Sequence, residues 1–161
     1  MLVFSIDASL GPVTQTVTGR TTGITGHSTI VEQGSAETIS GSTFTADLTQ
    51  LHADNALYDS AVSSALDTAH YPTSTFTQTG QVTVSRPALE AGTAVTLNGQ
   101  MTFHGVARAV SFSGNAIESN GRFQVTGSAN FILSDFGFTP SLGLITLGNT
   151  ATLTFTLAMA R

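Results

Sequence analysis

The sequence predicts an all-β protein, an antiparallel sheet rolled into a closed barrel with one helical segment at about residues 55–69 near a mouth. Three observations predict it. Apolar and polar residues alternate along at least five stretches, the period of a strand with one dry and one wet face. These stretches follow each other through short turns, which makes neighbours antiparallel. One stretch alone, Asp54 to Pro72, has a different period: its larger residues fall at Tyr58, Ala61, Val62, Ala65, Leu66 and Ala69. That spacing of three and four lays one apolar stripe on a helix.

Taken in order, Leu2 to Asp7 reads as a first strand and Asp7 to Pro12 as a turn. Val13 to Val17 and Arg20 to Thr25 are Thr-rich and interrupted by Gly19, Gly23 and Gly26. Glycines inside strands mark bends or bulges. Ser28 to Val31 is a short strand, and Glu32-Gln33-Gly34-Ser35 a turn. Phe44, Ala46 and Leu48 then share one face against Thr43, Thr45, Asp47 and Thr49. Asp54 or Asn55 is placed to cap the helix that follows, and Tyr71-Pro72 to end it.

After the helix the alternation is sustained. Phe76, Gln78, Gly80, Val82 and Val84 form one phase, broken at Arg86-Pro87. Val95, Leu97, Gly99, Met101 and Phe103 form the next, closed by a tight turn at His104-Gly105. Val110, Phe112, Gly114 and Ala116 lead to Asn120-Gly121, a strong hairpin signal. Phe123, Val125, Gly127, Ala129, Phe131 and Leu133 follow, then a loop around Pro140, then Ala151, Leu153, Phe155, Leu157 and Met159. Such a sheet closes as a barrel or folds as a sandwich. The barrel is favoured because it brings every apolar face onto one axis. No repeat or linker divides the 161 residues, which suit one domain.

Composition narrows the function. Charged residues make up 9% of the chain, against the usual quarter, and all five cations are arginines. With a net charge of −5, such a chain builds no phosphate-tracking surface, so nucleic acid is not an expected partner. No cysteine is present, which excludes disulfides and thiolate metal sites. No apolar run approaches a membrane span. The expectation is an exported protein whose signal or anchor lies outside this chain, with any membrane association through that anchor.

An eight-stranded barrel either fills with side chains or holds one small ligand. Gly80, Gly99, Gly114 and Gly127 fall in the inward phase. They either leave room for a cavity or let strands coil at corners, and both readings stand. A cavity here is lined by Phe, Leu, Met and Val and fits a long hydrocarbon. Burying about 800 Å² of such a chain is worth about 20 kcal/mol before the loss of ligand freedom.

The ordered set Gly19-Arg20-Thr21-Thr22-Gly23, Phe44-Thr45-Ala46-Asp47-Leu48, Asp59 with Leu66-Asp67-Thr68-Ala69-His70-Tyr71-Pro72-Thr73-Ser74-Thr75-Phe76, Leu97 to Val110, and Ser134-Asp135-Phe136-Gly137-Phe138 resembles the YceI-like, polyisoprenoid-binding family. The likeness covers nearly the whole chain. It implies an eight-stranded, lipocalin-like barrel holding a long isoprenoid, a quinone tail or polyprenyl lipid. It also implies export to the periplasm or cell surface, or secretion, and a homodimer. Tyr58 departs from the family pattern, which carries an arginine before the aspartate.

Other chemistry has little support. His27, His52, His70 and His104 form no metal-ligand spacing. His52, Asp54 and Asp59 read as capping and turn residues, and Asp135 as a turn cap. Gly26-His27-Ser28-Thr29-Ile30 lacks the last glycine of a nucleophile elbow. Arg20 and Arg108 are the cations with a case for meeting a headgroup, Arg108 from a solvated position at a mouth.

The expected function is therefore non-enzymatic: binding an isoprenoid lipid for transport, storage or sequestration, with no other cofactor and no metal. The expected cavity lining is Phe44, Leu48, Tyr58, Val62, Leu66, Phe76, Leu97, Gly99, Met101, Phe103, Val110, Phe112, Phe123, Val125, Phe131, Leu153 and Phe155. The alternative is a packed barrel serving as a structural or interaction module. An enzyme would need titratable groups inside the barrel, and the inward phase offers almost none.

Overall fold

The computed structural model describes residues 1–54, 56–139, 141–142 and 145–160, with side chains except those of residues 56–58, 60–61, 141–142 and 160. The chain is all-β, its strands in one strongly curled antiparallel sheet. They are β1 (Leu2–Leu10), β2 (Val13–Thr21), β3 (Ile24–Gln33), β4 (Ala36–Asp47), β5 (His52–Ala53), β6 (Thr73–Gln78), β7 (Gln81–Ser85), β8 (Thr93–Phe103), β9 (Val106–Ser119), β10 (Arg122–Ile132), β11 (Ser141–Leu142) and β12 (Ile145–Ala160). Among the described residues two α-helices interrupt them, α1 (Ala56–Ala65) and α2 (Arg86–Ala91).

The hydrogen-bonded path runs β3-β4-β6-β8-β9-β10-β12-β1-β2-β5, with β7 on β4 and β11 on β12. The closed eight-stranded barrel expected from the sequence is thus corrected to a twelve-stranded curled sheet whose ends, among the described residues, share no ladder. The cause lies at Thr22-Gly23. There the chain turns, Ile24 N–H donating to Thr22 O at 2.8 Å, and β2 passes into β3 without pairing with it. The ends touch at one corner, where Asp47 N–H donates to Gly23 O at 2.7 Å and Thr21 Oγ1 to Asp47 O at 3.2 Å.

The extra strands come from breaks that alternation does not reveal. The expected strand through Gly80 is split into β6 and β7, because Gly80 adopts φ +76° in an exposed bend. Gly80 is therefore not an inward residue. Opposite, β4 carries a bulge: the β3–β4 register shifts so that Gly41 and Ser42 together face Ser28. Gly41 takes φ +60° there. Buried Gln78 fills the gap, its Oε1 accepting from Ser42 N–H at 3.3 Å and its Nε2 donating to Ile39 O at 3.2 Å.

Two hairpins follow their turn residues. His104-Gly105 and Asn120-Gly121 take positive φ at both positions, 50° and 75°, then 54° and 71°, the mirror turn that matches strand twist. Helix α1 is shorter than expected. Asp67 at φ +48° stops it, and Tyr71 N–H returns to Asp67 O at 2.9 Å, so Leu66 to His70 form turns. Arg86-Pro87 does more than break a strand. Proline is tolerated in a first helical turn, and here it opens α2, which ends on Gly92 at φ +84°. Leu89 of α2 is fully buried against the core at that end of the sheet.

No helix among the described residues is long and apolar enough to cross a membrane.

Candidate functional site

The strand alternation delivers the core. Phe76, Val95, Leu97, Met101, Phe112, Phe123, Val125, Phe131 and Phe155 form one buried cluster with Leu89, Ala116 and Phe136. A second cluster at the α1 end gathers Ile6, Ala8, Val17, Leu51, Val62, Leu66, Leu133, Phe138 and Ala151.

Between them lies an apolar cavity at the α1 end, about 880 Å³ including its opening to solvent. Its wall takes Leu2, Phe4 and Ile6 from β1, Val17 from β2, Val62, Ala65 and Leu66 from α1 and the turn after it, and Leu147, Ala151 and Leu153 from β12. Leu48, Leu51, Met101, Phe103, Phe131, Leu133, Phe136 and Phe138 belong to it too, with the smaller Ala46, Ser74 and Thr152. A second hollow, about 520 Å³ including its opening to solvent, adjoins the first and shares Leu2, Ala46, Ser74, Met101 and Leu153 with it. A third, about 450 Å³, shares Phe44, Leu97 and Leu157 with the second and reaches Phe123, Val125 and Met159. Adjoining through these shared walls, the three hollows follow one apolar tract of the interior from α1 toward the α2 end.

Most of the expected lining lies along it. Leu48, Val62, Leu66, Phe103 and Phe131 line the first part, Met101 and Leu153 the first two, and Phe76, Phe112 and Phe155 the second. Phe44 and Leu97 line the inner two, and Phe123 and Val125 the third. Val110 is half-buried against the core and lines none of the three hollows. The side chain of Tyr58 lies outside the described residues.

Gly99 is a correction. It does not open volume, because a Cβ there would lie 2.5 Å from the ring of Phe76 and 2.4 Å from Thr77 O. Gly127 likewise lies under Phe155, 2.7 Å from that ring. Gly99 and Gly127 thus seat phenylalanine rings. Rings meet edge to face as well: Phe112 with Phe76 at 5.1 Å and with Phe155 at 5.3 Å.

Sequence reading missed the contribution of β1, and with it Leu2, Phe4 and Ile6. The period-two signal in Leu2-Val3-Phe4-Ser5-Ile6 is blurred, since Val3 is apolar on the other face. It also missed Leu133, Phe136 and Phe138, which a short 3₁₀ turn at Leu133–Phe136 swings inward. Asp135 does not cap that turn: Ser134 N–H is taken by Asn149 Oδ1 at 2.9 Å.

The polar groups stand around the cavity. Arg20 is ion-paired with Asp54, so neither is a free charge. Asp59 accepts from Ala53 N–H at 2.6 Å, and His52 Nδ1 is 3.7 Å from its other oxygen. His52, Asp54 and Asp59 therefore meet near the helix start as ties between β5, β2 and α1. Arg108 is exposed and donates to Ala107 O at 2.9 Å. Asp47 accepts from Thr49 and Gln50, and these hydrogen bonds hold its carboxyl below the usual range. Asp67, 2.8 Å from His70 Nδ1, holds that imidazole above its ordinary value. Tyr71 stacks on His104 at 4.1 Å, and His104 meets the cavity residue Phe138 at 5.3 Å. No group of three metal-ligating side chains occurs among the described residues.

The fold is a curled antiparallel sheet around an apolar interior, and comparison with known families gives the family that shares it. Residues 2–159 match the family profile for a YceI-like domain, so the chain belongs to the YceI-like family. No curated protein sequence matches it. Among solved structures it is similar to a polyisoprenoid binding domain from Saccharophagus degradans, at 16% identity and TM-score 0.67, over 99% of this chain and 94% of that one. BcnA of Burkholderia cenocepacia superposes with TM-score 0.70 at 14% identity, over 99% and 96%. The YceI protein of Campylobacter jejuni gives 0.68 at 13%, over 89% and 84%. At such identities the likeness is one of fold.

Proposed function

We propose that this chain binds a long isoprenoid lipid, polyprenyl or quinone-type, in the apolar tract and serves to carry, store or sequester it without catalysing a reaction. The observation that carries the reading is the tract itself. It runs from α1 inward through Met101 and Leu153 to Phe123, and every side chain on its wall is uncharged. A flexible hydrocarbon gains burial there without leaving a polar group unpaired. Val62 and Ala65 of helix α1, with Leu66 just after it, form part of the wall at that end. The fold shared with a polyisoprenoid binding domain supports the reading. The periplasm, cell surface or exterior is the compartment that suits it, and a homodimer its assembly.

Native mass spectrometry of the purified protein, before and after incubation with a polyprenol or a prenylated quinone, tests it. The expected result is a one-to-one adduct that survives transfer and is released by organic extraction. Protein that takes up neither lipid would sink the reading.

The packed module remains the second reading, and one observation favours it. The space beside Gly99 and Gly127 is filled by Phe76 and Phe155 rather than left open. On that reading the tract stays empty of lipid in the same experiment.

A further inference from the structure

Among the described residues, large apolar side chains are exposed at Met1, Leu10, Val13, Val31, Ile117 and Ile132. Leu10 and Val13 are the most exposed of them, at 56% and 64%, and the two that stand opposite each other in a ladder. They flank the turn Gly11-Pro12 at the tip of the β1–β2 hairpin. Their place follows from the register. On β1, Leu2, Phe4 and Ile6 line the cavity at the α1 end, and Ala8 is buried in the cluster around it. Leu10 is the next residue of that alternate row, and Val13 shares the face of the cavity residue Val17 on β2. The apolar row of the cavity wall thus runs out of the packed interior and ends as an uncovered pair.

The other face of the hairpin is polar and bonded within itself. Ser9 Oγ and Thr14 Oγ1 are 2.9 Å apart, and Thr16 Oγ1 donates to Asp7 Oδ1 at 2.9 Å. No residue from Ser9 to Thr14 is charged. On the two strands the ionised side chains are Asp7 and Arg20, and Arg20 is ion-paired with Asp54.

We infer that the β1–β2 hairpin is a membrane-docking element: Leu10 and Val13 insert into a zwitterionic lipid bilayer and set the α1 end of the tract against it. This puts a membrane contact in the chain itself, apart from any anchor. Docking stands on the hairpin alone. Its use, passage of a tail between bilayer and tract, rests on the isoprenoid reading above. Size chooses the bilayer over a protein. A stable protein partner needs about 800 Å² from each side, far more than two side chains at a hairpin tip supply. A lipid interface takes up a few apolar side chains without a matching surface. Charge chooses the kind of bilayer. Lysine is absent and the net charge is −5, so anionic lipids do not attract this chain.

The chain has no cysteine, so Leu10→Cys carries a polarity-sensitive dye at a single position. Val31→Cys is the control: it is exposed on β3, next to the Glu32 that Arg86 of α2 holds at 2.7 Å. With phosphatidylcholine vesicles the dye at residue 10 is expected to shift to the blue, and the dye at residue 31 to stay in water. Unlabelled protein is expected to float with the same vesicles. Leu10→Gln combined with Val13→Thr should weaken that binding at least about tenfold. Both side chains are exposed, so the melting temperature is expected to hold. Adding phosphatidylglycerol should weaken binding at low salt. No shift at residue 10, an equal shift at residue 31, or undiminished binding by the double variant overturns the inference. So does a shift at residue 10 that grows with protein concentration without vesicles, which gives the hairpin to a second copy. Failure to dock by protein that takes up a polyprenol or prenylated quinone removes the hairpin's role alone. Docking by protein that takes up neither removes the isoprenoid reading and leaves the hairpin's role standing.

Discussion

Gly127 of β10 stands directly opposite Phe155 of β12, and a Cβ at Gly127 would come 2.7 Å from the tip of the ring. Gly26 faces Phe44 and Gly19 faces Phe4 in the same way, at 2.4 and 3.1 Å. In each pair the missing side chain on one strand is the seat for a ring on the next. The glycines thus set where the rings lie, and the rings set how much of the interior is left open. Gly127→Ala is expected to destabilise the fold by about 1–3 kcal/mol, the usual cost of overpacking. Thermal unfolding measures it. Adding Phe155→Leu removes the ring and should recover part of the loss, a coupling of about 0.5–3 kcal/mol in a double-mutant cycle. Additive single effects would show that the two residues do not form a unit.

Gly114 is a harder case. A Cβ there would lie 1.9 Å from Thr126 O and 2.6 Å from the Cα of Gly127. These are backbone atoms of the paired strand, so no rotamer change relieves the clash. Gly114→Ala is expected to cost more than Gly127→Ala and to be rescued by no substitution at Phe155. Equal melting temperatures for the two variants would refute this ordering.

Alternation made much of this legible. The phases of β8, β10 and β12 were plain because Thr, Ser, Asn and Gln fill one face almost without exception, and the buried residues of those strands fall where the pattern puts them. What the pattern does not carry is backbone geometry. Gly80 reads like any other residue of its phase, yet its positive φ splits one strand in two. The turn at Thr22-Gly23 looks like another interruption in a Thr-rich run, yet it decides that the sheet stays open. The role of a glycine depends on a partner far away in sequence, so the alternation leaves open whether Gly99 and Gly127 make room or let strands coil, and only the structure shows Phe76 and Phe155 against them.

The pair Asp67–His70 makes a small pH-dependent contribution. The hydrogen bond and negative charge of Asp67 raise the His70 pKa above 6.5. A raised value means the folded state holds the proton more tightly than the unfolded one. The contribution is therefore fully present below pH 6.5 and is lost as pH rises through the folded-state pKa. Both side chains are substantially exposed, so the effect is screened. An NMR titration of the His70 ring is expected to show a midpoint above 6.5, and Asp67→Asn to return it toward that value. An unchanged midpoint in the variant would assign the shift to another group.

Ala46 stands where the two larger hollows adjoin. It is buried and lines both the mouth cavity and the hollow behind it, together with Met101 and Leu153. Its small side chain is one of the walls the two hollows share, and Phe44 and Phe76 line the second. Ala46→Phe is expected to close the junction. A short prenol such as farnesol, held in the mouth part, should bind within about threefold of its original affinity, while a long polyprenol should lose about tenfold, near 1.4 kcal/mol. Overpacking is expected to lower stability by about 1–3 kcal/mol, so binding is compared well below the melting temperature of the variant. Met101→Ala enlarges the same junction and should favour the long tail instead, at a stability cost of about 2–5 kcal/mol. The two variants push the length preference in opposite directions from one point in the tract. Equal losses for short and long tails in Ala46→Phe would mean that both end in the mouth cavity and that the inner hollows belong to the core.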